Sequence, residues 1–403
     1  MHYEEFHRIK RLQPYVFAEV NRLKLAARHR GADIIDFGMG NPDSPMPPHI
    51  VEKMIEVISD PKTHGYSVSK GIKGLRKAQV GYYQRRFGVP LDEENEVVVT
   101  IGSKEGIANL AQAMTSPGDI ILVPSPSYPI HPYGFMIAGA ALRYLVVPFD
   151  SPRSYTEVFM EQLSRAVQFS VPKPLLLVLS YPCNPTAQVV DLDFYKEVVA
   201  FCRKHGIYIL SDLAYAEIYF DDNNPPPSVL QVEGAMEIAI EFTSMSKTYS
   251  MAGCRIGFAV GNRHLIASLA RIKSYVDYGA FTPIQVAAAT ALNGPQECVT
   301  QIRALYKERR DVLLSGLKQA GWDVPVPQAS MFAWAPIPES HRAMGSVAFS
   351  KDLLEHAEVA VAPGLGFGEH GEGYVRIGLV ENVHRIRQAT RNIKQYLKQG
   401  SVV

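Results

Sequence analysis

The chain has 403 residues, 47% of them hydrophobic and 20% charged, with a formal charge of +1. That length suggests two or three domains with apolar material for a large core, and the even charge balance excludes nucleic acid or an anionic membrane as the main partner. No apolar run is long enough to span a bilayer, and the opening "MHYEEFHRIKRLQPY" lacks the apolar stretch of a secretory signal.

In chain order, a short strand is expected in "DIIDF", followed by a Gly/Pro loop, "GMGNPDSPMPP". A helical pattern surrounds Ile50 to Ile58, and the glycine-broken "HGYSVSKGIKGLRKA" feeds a helix towards Tyr83. From about residue 97 the rhythm changes. "EVVVTIG" reads as a buried strand and "SKEGIANLAQAM" as a helix that begins at once after it. "DIILVPSPSY", "ALRYLVVP", "LLLVLSYPCNPT", "IYILSDLAYAEI", "IAIEFTSMSK" and "RIGFAVG" follow as further apolar runs, several separated by helical patterns such as "DFYKEVVAFCRKHG". Short continuous apolar strands alternating with helices indicate βαβ units and a mainly parallel sheet, the α/β class. A long amphipathic helix is expected from about Glu297 to Ala320. "ASMFAWAPI", "VAVAPG" and "YVRIGLV" then read as strands of a smaller α+β domain. The expected division is an N-terminal arm with part of the small domain over 1–49, a large domain over 50–295 and a small domain over 296–403.

The four cysteines, Cys183, Cys202, Cys254 and Cys298, form no C-x-x-C pair and read as free thiols of a reducing, cytoplasmic protein. The twelve histidines are scattered without ligand spacing, so no metal site is expected. "GLGFGEHG" is glycine-rich, but a strand follows it where a dinucleotide fingerprint needs a helix; it reads as a loop.

Polar residues gather at the C-terminal ends of the expected strands: Ser103, Tyr128, Asn184, Asp212 and Lys247. In open α/β sheets ligands bind at that edge. Taken singly, each has a plain alternative. Ser103 could be a helix N-cap, Asn184 part of an Asn-Pro turn, and Asp212 an N-cap or the partner of a buried cation. Taken together with "SMSKTYSMAGCRIG", they point to one chemistry. Lys247 sits among serines with Arg255 eight residues later. A neutral lysine amine condenses with an aldehyde, and pyridoxal phosphate is the common protein-bound aldehyde. Ser244, Arg255 and the helix start at Ser103 could meet its phosphate. Asp212 could hold the ring N–H, Asn184 and Tyr215 the phenolic oxygen, and Tyr128 the ring face.

These motifs, with "CNPT", "DLAY" and the late "VRIG", closely resemble fold-type I pyridoxal-phosphate enzymes of the class I/II aminotransferase family. Order and spacing agree over nearly the whole chain. "GMGNPD", "HGYSVSKGI", "TIGSKEG", "PSYPIH" and "RIKSYVDYGAFTPIQVAA" resemble the bacterial alanine (glutamate–pyruvate) branch, a near relative of the LL-diaminopimelate aminotransferases.

The resemblance implies that Lys247 carries the cofactor and shuttles a proton, with Asp212 and Tyr215 as the other catalytic groups. Asp212 pairs with the ring nitrogen, Asn184 and Tyr215 with the phenolic oxygen, and Tyr128 stacks on the ring. Ser103, the Lys104 backbone, Ser244 and Arg255 take the phosphate. Tyr66 reaches the phosphate of a neighbouring subunit, so a homodimer with shared active sites is implied; packing alone is the alternative for Tyr66. Arg376 grips the substrate α-carboxylate, with a structural ion pair as its alternative, and Gly40 and Asn184 lie beside that carboxylate. The implied activity is ping-pong transfer of an amino group between an L-amino acid, alanine on this likeness, and 2-oxoglutarate. LL-diaminopimelate or aspartate transamination, a pyridoxal-phosphate lyase and a non-catalytic binding protein of the same fold are the alternatives.

Overall fold

The computed structural model describes residues 6–12, 16–149 and 151–399. Its strands, in chain order, are β1 (Ile35–Asp36), β2 (Val97–Thr100), β3 (Ile120–Ser125), β4 (Ala141–Val146), β5 (Leu176–Leu179), β6 (Tyr208–Asp212), β7 (Ala239–Ser244), β8 (Gly257–Gly261), β9 (Phe332–Pro336), β10 (Val359–Ala360), β11 (Ala362–Pro363) and β12 (Tyr374–Gly378). Seven of them form one sheet in the order β2-β8-β7-β6-β5-β3-β4. It is parallel except for β8, which runs antiparallel to both neighbours.

Alternate residues of these strands feed two cores on opposite faces. In β5, Leu177 and Leu179 enter one core, while Leu176 and Val178 enter the other. Burial on both faces explains why the strands read as unbroken apolar runs. A carboxylate is buried among them with its own set of donors. Glu241 of β7, fully excluded from solvent, accepts hydrogen bonds from the hydroxyls of Tyr83 (2.9 Å), Ser211 (2.9 Å) and Ser228 (2.5 Å) and from the Val229 N–H (3.2 Å). It ties β6 and β7 to the helix Lys73–Phe87 and to the turn after residue 228.

A smaller unit holds the antiparallel sheet β11-β12-β9 and the parallel pair β1-β10. Its core gathers Ile35, Phe37, Trp322, Phe349 and Ile386. The expected long helix is continuous over Glu297–Gln319. Its first turn gives Val299 to the large core, and Ile302, Tyr306, Leu313 and Leu317 go to the small one. "VAVAPG" is two two-residue strands rather than one, split at Val361 so that β10 pairs with β1 and β11 with β12. "GLGFGEHG" is a pair of single turns between β11 and β12. The four cysteines are free thiols. Among the described residues, no helix is long and apolar enough to cross a membrane.

Candidate active site

A cleft of about 480 Å³ opens where the C-terminal ends of the parallel strands meet the smaller unit. Gly40, Ser103, Lys104, Tyr128, Asn184, Asp212, Tyr215, Ser244, Lys247, Arg255 and Arg376 all line it. Tyr66 does not. It is exposed in a separate surface cleft, its ring 4.7 Å from that of Tyr278.

Lys247 lies on the single turn Met245–Thr248 that follows β7. Its Nζ donates to the Gly40 carbonyl oxygen at 2.5 Å. Removal from water, helped by the positive charges of Arg376 and Arg255, pushes the Lys247 amine down from 10.5 to about 8. A lysine so placed reaches the neutral form near physiological pH.

Asp212 ends β6 and is buried. Its Oδ2 is paired with His131 Nε2 at 2.8 Å. Its Oδ1 has no hydrogen-bond partner among the described residues. A buried carboxylate oxygen left bare is costly unless a ligand donates to it. Next to it, Asn184 Nδ2 lies 3.5 Å from the Tyr215 hydroxyl. Burial pushes the Tyr215 phenol well above its ordinary value, so it stays protonated as a donor.

The helix Ser103–Met114 begins with its cap at Gly102, which has φ +78° and no side-chain cap bond. Ser103 is therefore not an N-cap; it is the first helical residue, and its hydroxyl is not spent on capping. Glu105 closes the turn instead, accepting from the Ile101 N–H at 2.7 Å. A Cβ on Gly102 would lie 2.2 Å from Arg255 Nη2. Only glycine lets the guanidinium pass across the helix start, where backbone N–H groups and the dipole favour an anion. Ser244 lines the same corner and accepts from the Ser246 N–H at 3.1 Å.

Arg376 projects from β12. Its guanidinium carbon lies 4.1 Å from the Phe332 ring centroid and 4.7 Å from that of Phe367, and the group donates from Nη1 to Asn184 Oδ1 at 2.8 Å and from Nη2 to the Gly38 carbonyl oxygen at 3.1 Å. Lys104 holds its ammonium 5.9 Å from the Tyr128 ring.

In all, five cationic side chains, Lys24, Lys104, Lys247, Arg255 and Arg376, face two carboxylates, Asp36 and Asp212. The surplus positive charge suits a phosphate dianion together with one substrate carboxylate. His131, Lys24, Asp36 and Phe332 were not singled out from sequence. His131 follows Tyr128 by three residues in "SYPIH", a spacing that puts both at one helix start, and was the available signal.

The model for aminotransferases of class I and II matches residues 32–391. The chain belongs to the class I and II aminotransferases. It is a transaminase. It is 54% identical to the glutamate-pyruvate aminotransferase AlaC of Escherichia coli, over 99% of this chain and 95% of that protein. It is 41% identical to an LL-diaminopimelate aminotransferase of Moorella thermoacetica, over 98% of both. Among solved structures, substrate-bound BacF from Bacillus subtilis superposes with a TM-score of 0.88 at 34% identity, over 98% of both chains. That fold agreement extends to the α/β class and the mainly parallel central sheet read from the sequence.

Proposed function

We propose that this transaminase uses pyridoxal 5'-phosphate to move an amino group between alanine and 2-oxoglutarate. The observation that carries the cofactor is the bare, buried Oδ1 of Asp212 in the same cleft as a lysine shifted towards its neutral form. Lys247 would hold the cofactor covalently. Asp212 would take its ring N–H, Asn184 and Tyr215 its phenolic oxygen, and Tyr128 its ring face. Ser103, the Lys104 backbone N–H, Ser244 and Arg255 would take its phosphate. When bound, the group supplies an electron sink at the substrate α-carbon and a carrier for the amino group.

The chain's own residues do the rest. Arg376 offers a planar guanidinium, packed against the rings of Phe332 and Phe367, to the α-carboxylate. Fixing that carboxylate sets where the α-hydrogen points. Once the incoming amino group has displaced it from the cofactor, Lys247 Nζ would be free to take the α-proton as general base. His131 holds Asp212 by its second oxygen and leaves the first aimed at the cleft. Both substrates use one pocket in turn, which gives ping-pong kinetics. Exposed Tyr66 supports a homodimer in which this side chain serves the other protomer's site, and the free thiols support a cytoplasmic enzyme.

Alanine as donor is supported by the greater likeness to the glutamate-pyruvate enzyme than to the LL-diaminopimelate enzyme. Val20 and Phe332 give an apolar wall for a methyl group. Glutamate needs a cation for its distal carboxylate, and Lys104, in the cleft lining beside the Tyr128 ring, stands there for it. Two measurements test the reading. Borohydride reduction followed by peptide mapping should label Lys247, and a label elsewhere sinks the assignment. In kcat/KM at one fixed 2-oxoglutarate concentration, alanine should exceed LL-diaminopimelate and aspartate. A clear advantage for LL-diaminopimelate places the chain in the neighbouring branch.

A further inference from the structure

The helix Val16–His29 lies along one wall of the cleft and presents Val20, Asn21 and Lys24 to it. Lys24 Nζ is 2.6 Å from Asp36 Oδ2, and both side chains are nearly out of water, at 9% and 13% exposure. The other oxygen of Asp36 is also committed. Oδ1 accepts the N–H of Gly38 at 3.0 Å, the aspartate turn in which a side chain binds its own backbone two residues on. The carbonyl of that same Gly38 accepts Arg376 Nη2 at 3.1 Å. The bonds thus run without a gap from Lys24 to Asp36, to the Gly38 residue, to the guanidinium.

We propose that Lys24 and Asp36 are positioning residues for the substrate α-carboxylate, acting on Arg376 through Gly38; the proposal rests on the aminotransferase reading above. Phe332 and Phe367 hold the guanidinium carbon 4.1 and 4.7 Å from their ring centroids, but rings have no directional acceptor with which to fix where its N–H groups point. The hydrogen bonds to Asn184 Oδ1 and to the Gly38 oxygen help to orient it. A bidentate grip on a carboxylate depends on that orientation. The Gly38 oxygen is aimed by the turn, and the turn is held by Asp36. Lys24 keeps Asp36 in place. Without it, Asp36 would turn towards Arg28, already 3.7 Å away and about half exposed, and drop the Gly38 N–H. Because the strand β1 also receives Glu381 at the Asp36 N–H (3.2 Å), the backbone itself stays put and only the turn is released.

Both substrates present an α-carboxylate, so the lesion has a signature. In the holoenzyme, Lys24→Met should raise KM for alanine and for 2-oxoglutarate by the same factor, on the order of tenfold, with kcat within about twofold, the pattern of lost uniform binding. Lys24→Arg should restore most of the loss. Propionate, a three-carbon carboxylate without an amino group, should lose affinity by the same factor when titrated calorimetrically. If KM and propionate affinity stay at wild-type values while only the melting temperature falls, the pair is structural and the proposal is overturned. A KM rise confined to 2-oxoglutarate overturns it as well, since that would place the effect at the side-chain end. Should Lys24→Met fail to fold, Asp36→Ala decides: it removes the acceptor that holds the Gly38 N–H, and must shift both KM values together. If the wild type transaminates no donor, the functional reading fails, and propionate binding still decides the proposal because it needs no turnover.

Discussion

Replacing Lys247 by methionine should make the cofactor-free protein more stable at neutral pH. Folding carries this amine from 10.5 in the unfolded chain to about 8 in the cleft, so below pH 8 the native state holds a proton at a disadvantage. At about 1.4 kcal/mol for each tenfold loss of proton affinity, the disadvantage is about 3 kcal/mol. Methionine removes it and also removes the bond to the Gly40 oxygen, worth about 1 kcal/mol. The net gain at pH 7 is about 2 kcal/mol. The sign of its pH dependence follows from proton counts. Between pH 8 and 10.5 the unfolded wild type binds more protons than the folded one, so wild-type stability rises with pH and the advantage of the variant shrinks. Below pH 8 both states are protonated and the advantage is constant. Urea midpoints of the two cofactor-free proteins, at equal protomer concentration at pH 7 and near pH 10, measure both effects. A missing gain at pH 7, or a gain that persists undiminished near pH 10, would show that burial does not tune this lysine and refute the reasoning.

Arg376→Lys should lower kcat/KM for alanine roughly ten- to hundredfold, because an ammonium keeps the charge but loses the planar, stacked, two-point grip; steady-state kinetics with both substrates measures it. Gly102→Ala should fold yet bind pyridoxal phosphate at least about tenfold more weakly, since its Cβ would displace Arg255 and alanine pays about 1 kcal/mol or more at φ +78°; cofactor titration by absorbance is the readout. Glu241→Gln should destabilise by about 2 kcal/mol or more in urea denaturation, because one amide oxygen cannot accept from the four donors the carboxylate satisfies. Lys104→Ala should raise KM for 2-oxoglutarate several-fold more than KM for pyruvate, as expected when one charge-assisted contact is lost at the distal carboxylate; equal changes for the two would remove Lys104 from that role.

The large sheet was legible because its strands are buried on both faces, and a run such as "LLLVLS" has no other use for so much apolar surface. The direction of β8 was not legible: nothing in "RIGFAVG" marks it as antiparallel, since direction is fixed by how the chain returns from the turn at Arg255. The two-residue strands β1, β10 and β11 are too short to carry a period, and "VAVAPG" therefore read as one strand. Lys247, Asp212 and Asn184 stood out because each lies at or shortly beyond the C-terminal end of a strand, the ligand-binding edge of such sheets. His131 was missed because its partner is 81 residues away, and a lone histidine has no spacing to betray it. Lys24 and Asp36 were missed for a related reason. In sequence they are a surface-like lysine and a strand-end aspartate, and only the packing of an N-terminal helix against the cleft turns them into a pair.

The helix Glu297–Gln319 has a mechanical consequence. Its first turn is seated in the core of the large unit and the remainder in that of the small one, with the change of host falling between Val299 and Ile302. Twenty-three residues make a rod of about 35 Å. A tilt of about 5° at the short end would sweep the far end through about 3 Å, so a small deformation of one helical turn is geared up into a displacement the size of a hydrogen bond. Because the small unit also carries β12, the guanidinium of Arg376 rides on that lever.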